Sequence, residues 1–131
     1  YLDALGLGER LDDISFMNRM LCASKGNSYS KKSLDLCFSS QSSKLLTMLS
    51  PDILIFSGGL TITLAMKIYQ TLEEMRKTSG EDSREINRFN IKKEIKECLN
   101  RKTKYFYMGH YSYIKSEDIK DAEIIKKELR L

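Results

Sequence analysis

The stretch "PDILIFSGG", Pro51 to Gly59, decides the fold of this chain. Four consecutive apolar residues, Ile53 to Phe56, stand between a proline and a Gly58-Gly59 pair. Such a run fits a strand buried on both faces, as in a parallel sheet. Pro51 also stops any helix arriving from upstream, because it lacks the N–H that helix propagation needs. One does arrive: from Lys31 to about Leu49, Leu34, Cys37, Phe38, Leu45 and Met48 recur at helical spacing, and Ser30 can cap the start. Downstream, "LTITLAMKIYQTLEEMRK" reads as the next helix by its apolar spacing, although its β-branched opening is a weak helix former.

Further out, the same alternation continues. "DDISFMN", Asp12 to Asn18, reads as a short strand, and "CASKGNSYS", Cys22 to Ser30, as a loop. Residues 78–90 are polar and read as a loop or insertion. "IKKEIKECLNR" is a charged amphipathic helix with Ile91, Ile95, Cys98 and Leu99 on one side, and "KYFYM" is the next strand. Ser116 caps a final helix with Glu117 and Asp118 in its first turn, where acidic groups favour the helix dipole, and with Ile119, Ile124, Ile125 and Leu129 for packing. The expected architecture is α/β and three-layered, a mostly parallel central sheet flanked by helices, in a single domain over residues 1–131. The opening "YLDALGLGER" reads as the tail of a helix already under way, stopped at Gly6 or Gly8, so an N-terminally truncated domain is expected.

Composition narrows the class. At 41% hydrophobic and 31% charged residues, the chain has the make-up of an ordinary soluble domain, and no apolar run is long enough for a membrane span. With no secretory signal, Cys22, Cys37 and Cys98 read as reduced thiols of a cytoplasmic protein, or as ligands. Residues 1–60 carry six basic and six acidic side chains, so the whole net charge of +4 falls in residues 61–131. That bias is compatible with a phosphate-backbone partner and equally with solvated lysine-rich helices.

In open parallel sheets, ligands gather at the carboxyl ends of the strands. Three such ends are marked here: Asn18, Ser57-Gly58 and Gly109-His110. His110 is the lone histidine, in "KYFYMGHYSYIKSED". A strand-end histidine by itself is more often a satisfied turn residue than a chemical group, and Gly58-Gly59 is explained equally by a tight turn or by an anion at a helix start.

The order and spacing of these pieces resemble the uracil-DNA glycosylase superfamily, in particular its compact branch that often carries an iron–sulfur cluster. Asn18, Cys22 and Asn27 reproduce the intervals of its asparagine-bearing loop, and Cys37 lies 15 positions beyond Cys22, near the separation of two cluster cysteines. "LLTMLSPDILIFSGG" resembles its helix end, buried strand and glycine turn, and "YMGHYSYIKSED" resembles its His-Pro-Ser segment, with Tyr111 in place of the proline. The resemblance implies hydrolysis of the N-glycosidic bond of uracil in DNA, as in base excision repair. It implies His110 as the group that stabilises the leaving base, Asn18 as its reader, Ser112 on the DNA backbone and Gly58 lining the site. The family's water-positioning motif should precede Tyr1, so this chain alone is expected to be weak or inactive. A [4Fe–4S] cluster needs four thiolates, so Cys22 and Cys37 become ligands only beside an upstream cysteine pair; no cofactor is expected in this chain itself. Expected partners are DNA, single- or double-stranded, and no membrane, in the cytoplasm or at the nucleoid or nucleus. A catalytically inactive DNA- or protein-binding module of the same fold is the alternative, and a generic nucleotide-binding α/β domain is a third reading.

Overall fold

The computed structural model describes residues 2–17, 30–58, 61, 65–66, 72–78, 84–86, 90–110 and 115–129. Its centre is a parallel pair of strands, β1 (Ile53–Ser57) and β2 (Lys104–Met108), in the register Ile53 to Lys104 through Ser57 to Met108. Around them lie α1 (Lys31–Cys37), α2 (Ser43–Leu49), α3 (Leu72–Thr78), α4 (Lys93–Glu97) and α5 (Ser116–Leu129). The chain is thus a small α/β domain, a short parallel sheet packed between helices.

Alternation along the strands sends side chains to two cores. Phe56, Tyr105 and Tyr107 join Leu46, Met75, Ile91, Ile95 and Leu99 on one face. Phe106 and Met108 join Leu5, Ala122 and Ile125 on the other, with Ile55 packed against them. Each large side chain buried this way contributes about 1.5–3 kcal/mol. Phe56 and Tyr105 also stack, with ring centroids 6.5 Å apart and planes 7° apart. β2 is buried from Tyr105 onward, as a central parallel strand should be, whereas β1 runs from an exposed Ile53 to a buried Phe56. Two side-chain hydroxyls tie the pair at its ends. Thr103 Oγ1 donates to the Pro51 carbonyl at 2.8 Å, and Ser57 Oγ donates to the Gly109 carbonyl at 2.9 Å.

The helix before Pro51 forms as expected, with Ser30 Oγ accepting from the Ser33 N–H at 3.1 Å. Its buried face differs from the expected one. Residues Phe38–Ser42 form a π-helical turn, which inserts one extra residue per turn and rotates everything beyond it by about 100°. A regular helix would continue the Leu34–Cys37–Phe38 stripe through Leu45 and Met48. The extra residue moves it to Ser42 and Leu46, which are buried, and leaves Met48 82% exposed. The helix ends at Ser50, which adopts the left-handed conformation (φ 42°, ψ 55°) that a side chain pays for sterically. Ser50→Gly should therefore stabilise the fold by about 0.5–1 kcal/mol, read as a higher urea midpoint with unchanged slope; a lower midpoint would refute the strain.

Four other expectations differ in the structure. The strand expected at "DDISFMN" is a single 3-10 turn, Leu11–Asp13, followed by extended chain outside any ladder, with Phe16 68% exposed. Among the described residues no strand pairs with this stretch, so alternating apolar residues alone did not make a strand there. The opening residues are turns rather than a helix end, although Gly6 does adopt φ 73°. Within the expected loop 78–90, Arg84–Ile86 runs antiparallel beside β2, with the Ile86 N–H on the Tyr105 carbonyl at 2.7 Å. On α5 the expected packing residue Ile119 is 42% exposed, while Asp118 and Asp121 are buried in its stead.

Candidate functional site

At the carboxyl ends of the strands, the chain leaves β1 through Gly58 and β2 through Gly109. The Gly58 N–H donates to the Met108 carbonyl at 3.0 Å, extending the ladder by one bond, and Gly58 then turns at φ 90°, a conformation closed to most side chains. A Cβ on Gly58 would lie 3.1 Å from His110 Cδ2, so the glycine lets the imidazole approach the β1 backbone. His110 itself is exposed, one residue past a buried Gly109. The structure thus brings two of the sequence-marked strand ends, Ser57-Gly58 and Gly109-His110, to one edge of the sheet. Asn18, Ser112 and Cys22 lie outside the described residues, as do Tyr111 and Tyr113.

What holds this edge was not legible from motif reading. Lys115 N–H donates to Asp118 Oδ2 at 3.0 Å, and Asp118 Oδ1 accepts from Arg76 Nη2 at 2.6 Å. Arg76 also donates to Asp121 Oδ2 through Nε at 3.0 Å and Nη2 at 2.8 Å. Asp121 Oδ1 in turn accepts from Arg84 Nε at 2.7 Å, and the Arg84 guanidinium lies 5.9 Å from the centre of the Tyr107 ring. Two arginines and two aspartates therefore join α3, α5 and the segment beside β2 directly under the Gly109 backbone. The aspartates are 3% and 1% exposed. Burial by itself lowers the Arg76 pKa, but the hydrogen bonds and charges of Asp121, then Asp118, outweigh it and hold the guanidinium above its ordinary value. The signal in the sequence was the placement of Asp118 and Asp121 on the same side of α5 as Ala122 and Ile125, where a charge needs a buried partner.

The cysteines give less. Cys37 is a buried cysteine on α1, outside any disulfide. Cys98 is free and half-buried beside α4, with Sγ donating to the Glu94 carbonyl at 2.9 Å. Burial pushes the Cys98 thiol pKa up, the Thr47 hydrogen bond offsets part of this, and Glu97 adds to it. Among the described residues, no group of three or more His, Cys, Asp or Glu side chains gathers to hold a metal ion. Of the two cysteines that the resemblance makes conditional cluster ligands, Cys37 sits on α1 and Cys22 lies outside the described residues. Among the same residues, no helix is long and apolar enough to cross a membrane.

Comparison of the chain with protein-family models, with curated proteins and with solved structures finds no match in any of the three.

Proposed function

We propose that the carboxyl edge of the β1–β2 pair is a nucleobase site, and that the chain acts on DNA as part of a uracil-DNA-glycosylase-like protein, in the cytoplasm or, for DNA repair, at the nucleoid or in the nucleus. One observation carries the reading. The lone histidine stands exposed at the end of a buried parallel strand, against Gly58, on a backbone tied to Ser57 from one side and closed in by Asp118 from the other. A solvent-facing imidazole on a rigid strand end is what a base, once turned out of the stack, needs at its pocket.

The chemistry is assigned on that basis. When the glycosidic bond breaks, its electron pair leaves with the uracil, and the negative charge is delocalised from the ring nitrogen onto the carbonyl oxygens of the base. His110, donating through a ring N–H, stabilises that charge where it forms. Asn18, with a donor and an acceptor, reads the uracil edge, and Ser112 contacts the backbone. Attack of water on the sugar falls to the motif that the family places ahead of these residues.

The test is fluorescence anisotropy with oligonucleotides that differ only in one uracil or thymine, single- and double-stranded, with base release measured in the same samples. Preferential binding of the uracil strand is expected, with that preference cut about tenfold in His110→Ala, the loss of roughly one hydrogen bond to the base. Equal binding of both strands without base release would sink the glycosylase reading and leave a catalytically inactive DNA-binding module.

A further inference from the structure

His110 follows a glycine, and the cause of that glycine identifies what holds the histidine. Among the described residues, positive φ occurs at Ser50, Gly6 and Gly58 and not at Gly109, so the Gly109 backbone is open to any L residue. What excludes a side chain there is Asp118 of α5. Its carboxylate occupies the place where a Cβ would stand, and the three nearest atoms to that place all belong to Asp118. On its other side the strand end meets β1. The Gly109 carbonyl accepts from Ser57 Oγ at 2.9 Å, and His110 Cδ2 lies 3.1 Å from where a Cβ on Gly58 would stand. The backbone behind the exposed imidazole is therefore held between β1 and a carboxylate. Asp118 also accepts from the Lys115 N–H at 3.0 Å, as the third residue of a capped helix commonly does. Capping alone leaves a carboxylate in water. This one is 3% exposed and accepts from Arg76 Nη2 at 2.6 Å, which compensates a burial that capping does not require.

We propose that Asp118 is a positioning residue for His110, wedged against Gly109 by Arg76 so that the imidazole keeps one direction over Gly58. Asp118 touches no substrate in this role. It acts through the backbone, as the groups that hold a functional side chain to within about 0.5 Å of its working geometry generally do. The purpose of the wedge rests on the nucleobase reading of this edge, whereas the wedge itself rests on geometry. Asp121 is the natural contrast. It shares Arg76 with Asp118 and is as deeply buried, but its other partner is Arg84, on the segment beside β2. Asp121 therefore serves the packing of the layers, and Asp118 serves the strand end. Loss of either weakens the fold, and only loss of Asp118 releases His110.

The experiment is NMR on the folded chain, where the single histidine gives one set of imidazole signals. A nuclear Overhauser effect between the His110 ring hydrogen on Cδ2 and an α-hydrogen of Gly58 reports the imidazole's direction. It is expected in the wild type and in Asp121→Asn, and lost in Asp118→Ala. Should Asp118→Ala not fold, Asp118→Ala with Arg76→Met takes its place, since Asp121 keeps Arg84 and no charge is stranded. The same proteins are then compared on the uracil and thymine oligonucleotides. Asp118→Ala should lose about tenfold in uracil preference, as His110→Ala does, with affinity for the thymine strand unchanged, while Asp121→Asn keeps the preference. An Overhauser effect that survives in Asp118→Ala, or is lost equally in Asp121→Asn, would overturn the proposal. So would its loss in Asp118→Ala with the uracil preference intact. A wild type without uracil preference would instead overturn the nucleobase reading, and the Overhauser comparison would still decide whether Asp118 directs His110.

Discussion

Asp121→Ala is expected to destabilise the fold by about 3–5 kcal/mol, a large share of the roughly 5–15 kcal/mol that holds a domain of this kind together. The carboxylate accepts from Arg76 twice and from Arg84 once while being 1% exposed. Removing it leaves two guanidinium groups facing each other with their shared counter-charge gone. Arg84 suffers most, because its side chain is only 10% exposed and cannot turn to water without opening the layer over Tyr107. Arg76 keeps Asp118, and at 3.7 Å also Glu117, so its loss is partial. The cost belongs to stranding charge rather than to the worth of the ion pairs themselves. Replacing Asp121 and Arg84 together by apolar residues of similar volume, as in Arg84→Met with Asp121→Leu, keeps Arg76 on Asp118 and should therefore cost less than Asp121→Ala alone. Urea denaturation of the two variants decides it; a single-variant loss below about 1 kcal/mol would show that the network is solvated rather than buried.

Gly109→Ala carries the second large effect and bears on the candidate site. A Cβ at this position would run into the Asp118 carboxylate, lying 2.8 Å from Oδ2 and closer still to the rest of the group. Asp118 cannot step aside cheaply, since it is fixed by Arg76 and by the Lys115 N–H. Nor can the backbone retreat, because the Gly109 carbonyl holds the Ser57 hydroxyl and Met108 is fully buried. Overpacking of a held site costs about 1–3 kcal/mol, and this one should fall at the upper end. Relief must come from moving the strand end, so His110 moves with it. A Gly109→Ala protein that remains folded should lose any uracil preference as fully as His110→Ala does, although its imidazole is intact. Retention of that preference would show that the strand end tolerates displacement and that Asp118 is not part of its support.

The sequence by itself determined the two strands and their relation. Ile53–Phe56 and Tyr105–Met108 are short apolar runs closed by glycine, and only a parallel pair covered on both faces buries such runs. It also determined where the preceding helix starts and stops, because a serine cap and a proline act through their own backbone neighbours. Local pattern failed wherever a distant partner decided the outcome. The π-helical turn at Phe38–Ser42 leaves no trace in apolar spacing, yet it exchanged Met48 for Leu46 as the buried residue. "DDISFMN" alternates like a strand, but a strand exists only where another one satisfies its backbone. Asp118 looked like a first-turn acid suited to the helix dipole, while its energetic role comes from Arg76, 42 positions earlier in the chain. The same division runs through the candidate site. That His110 ends a strand is written in "YMGH", whereas its closeness to Gly58 follows from pairing across 52 positions, a distance that only tertiary packing closes.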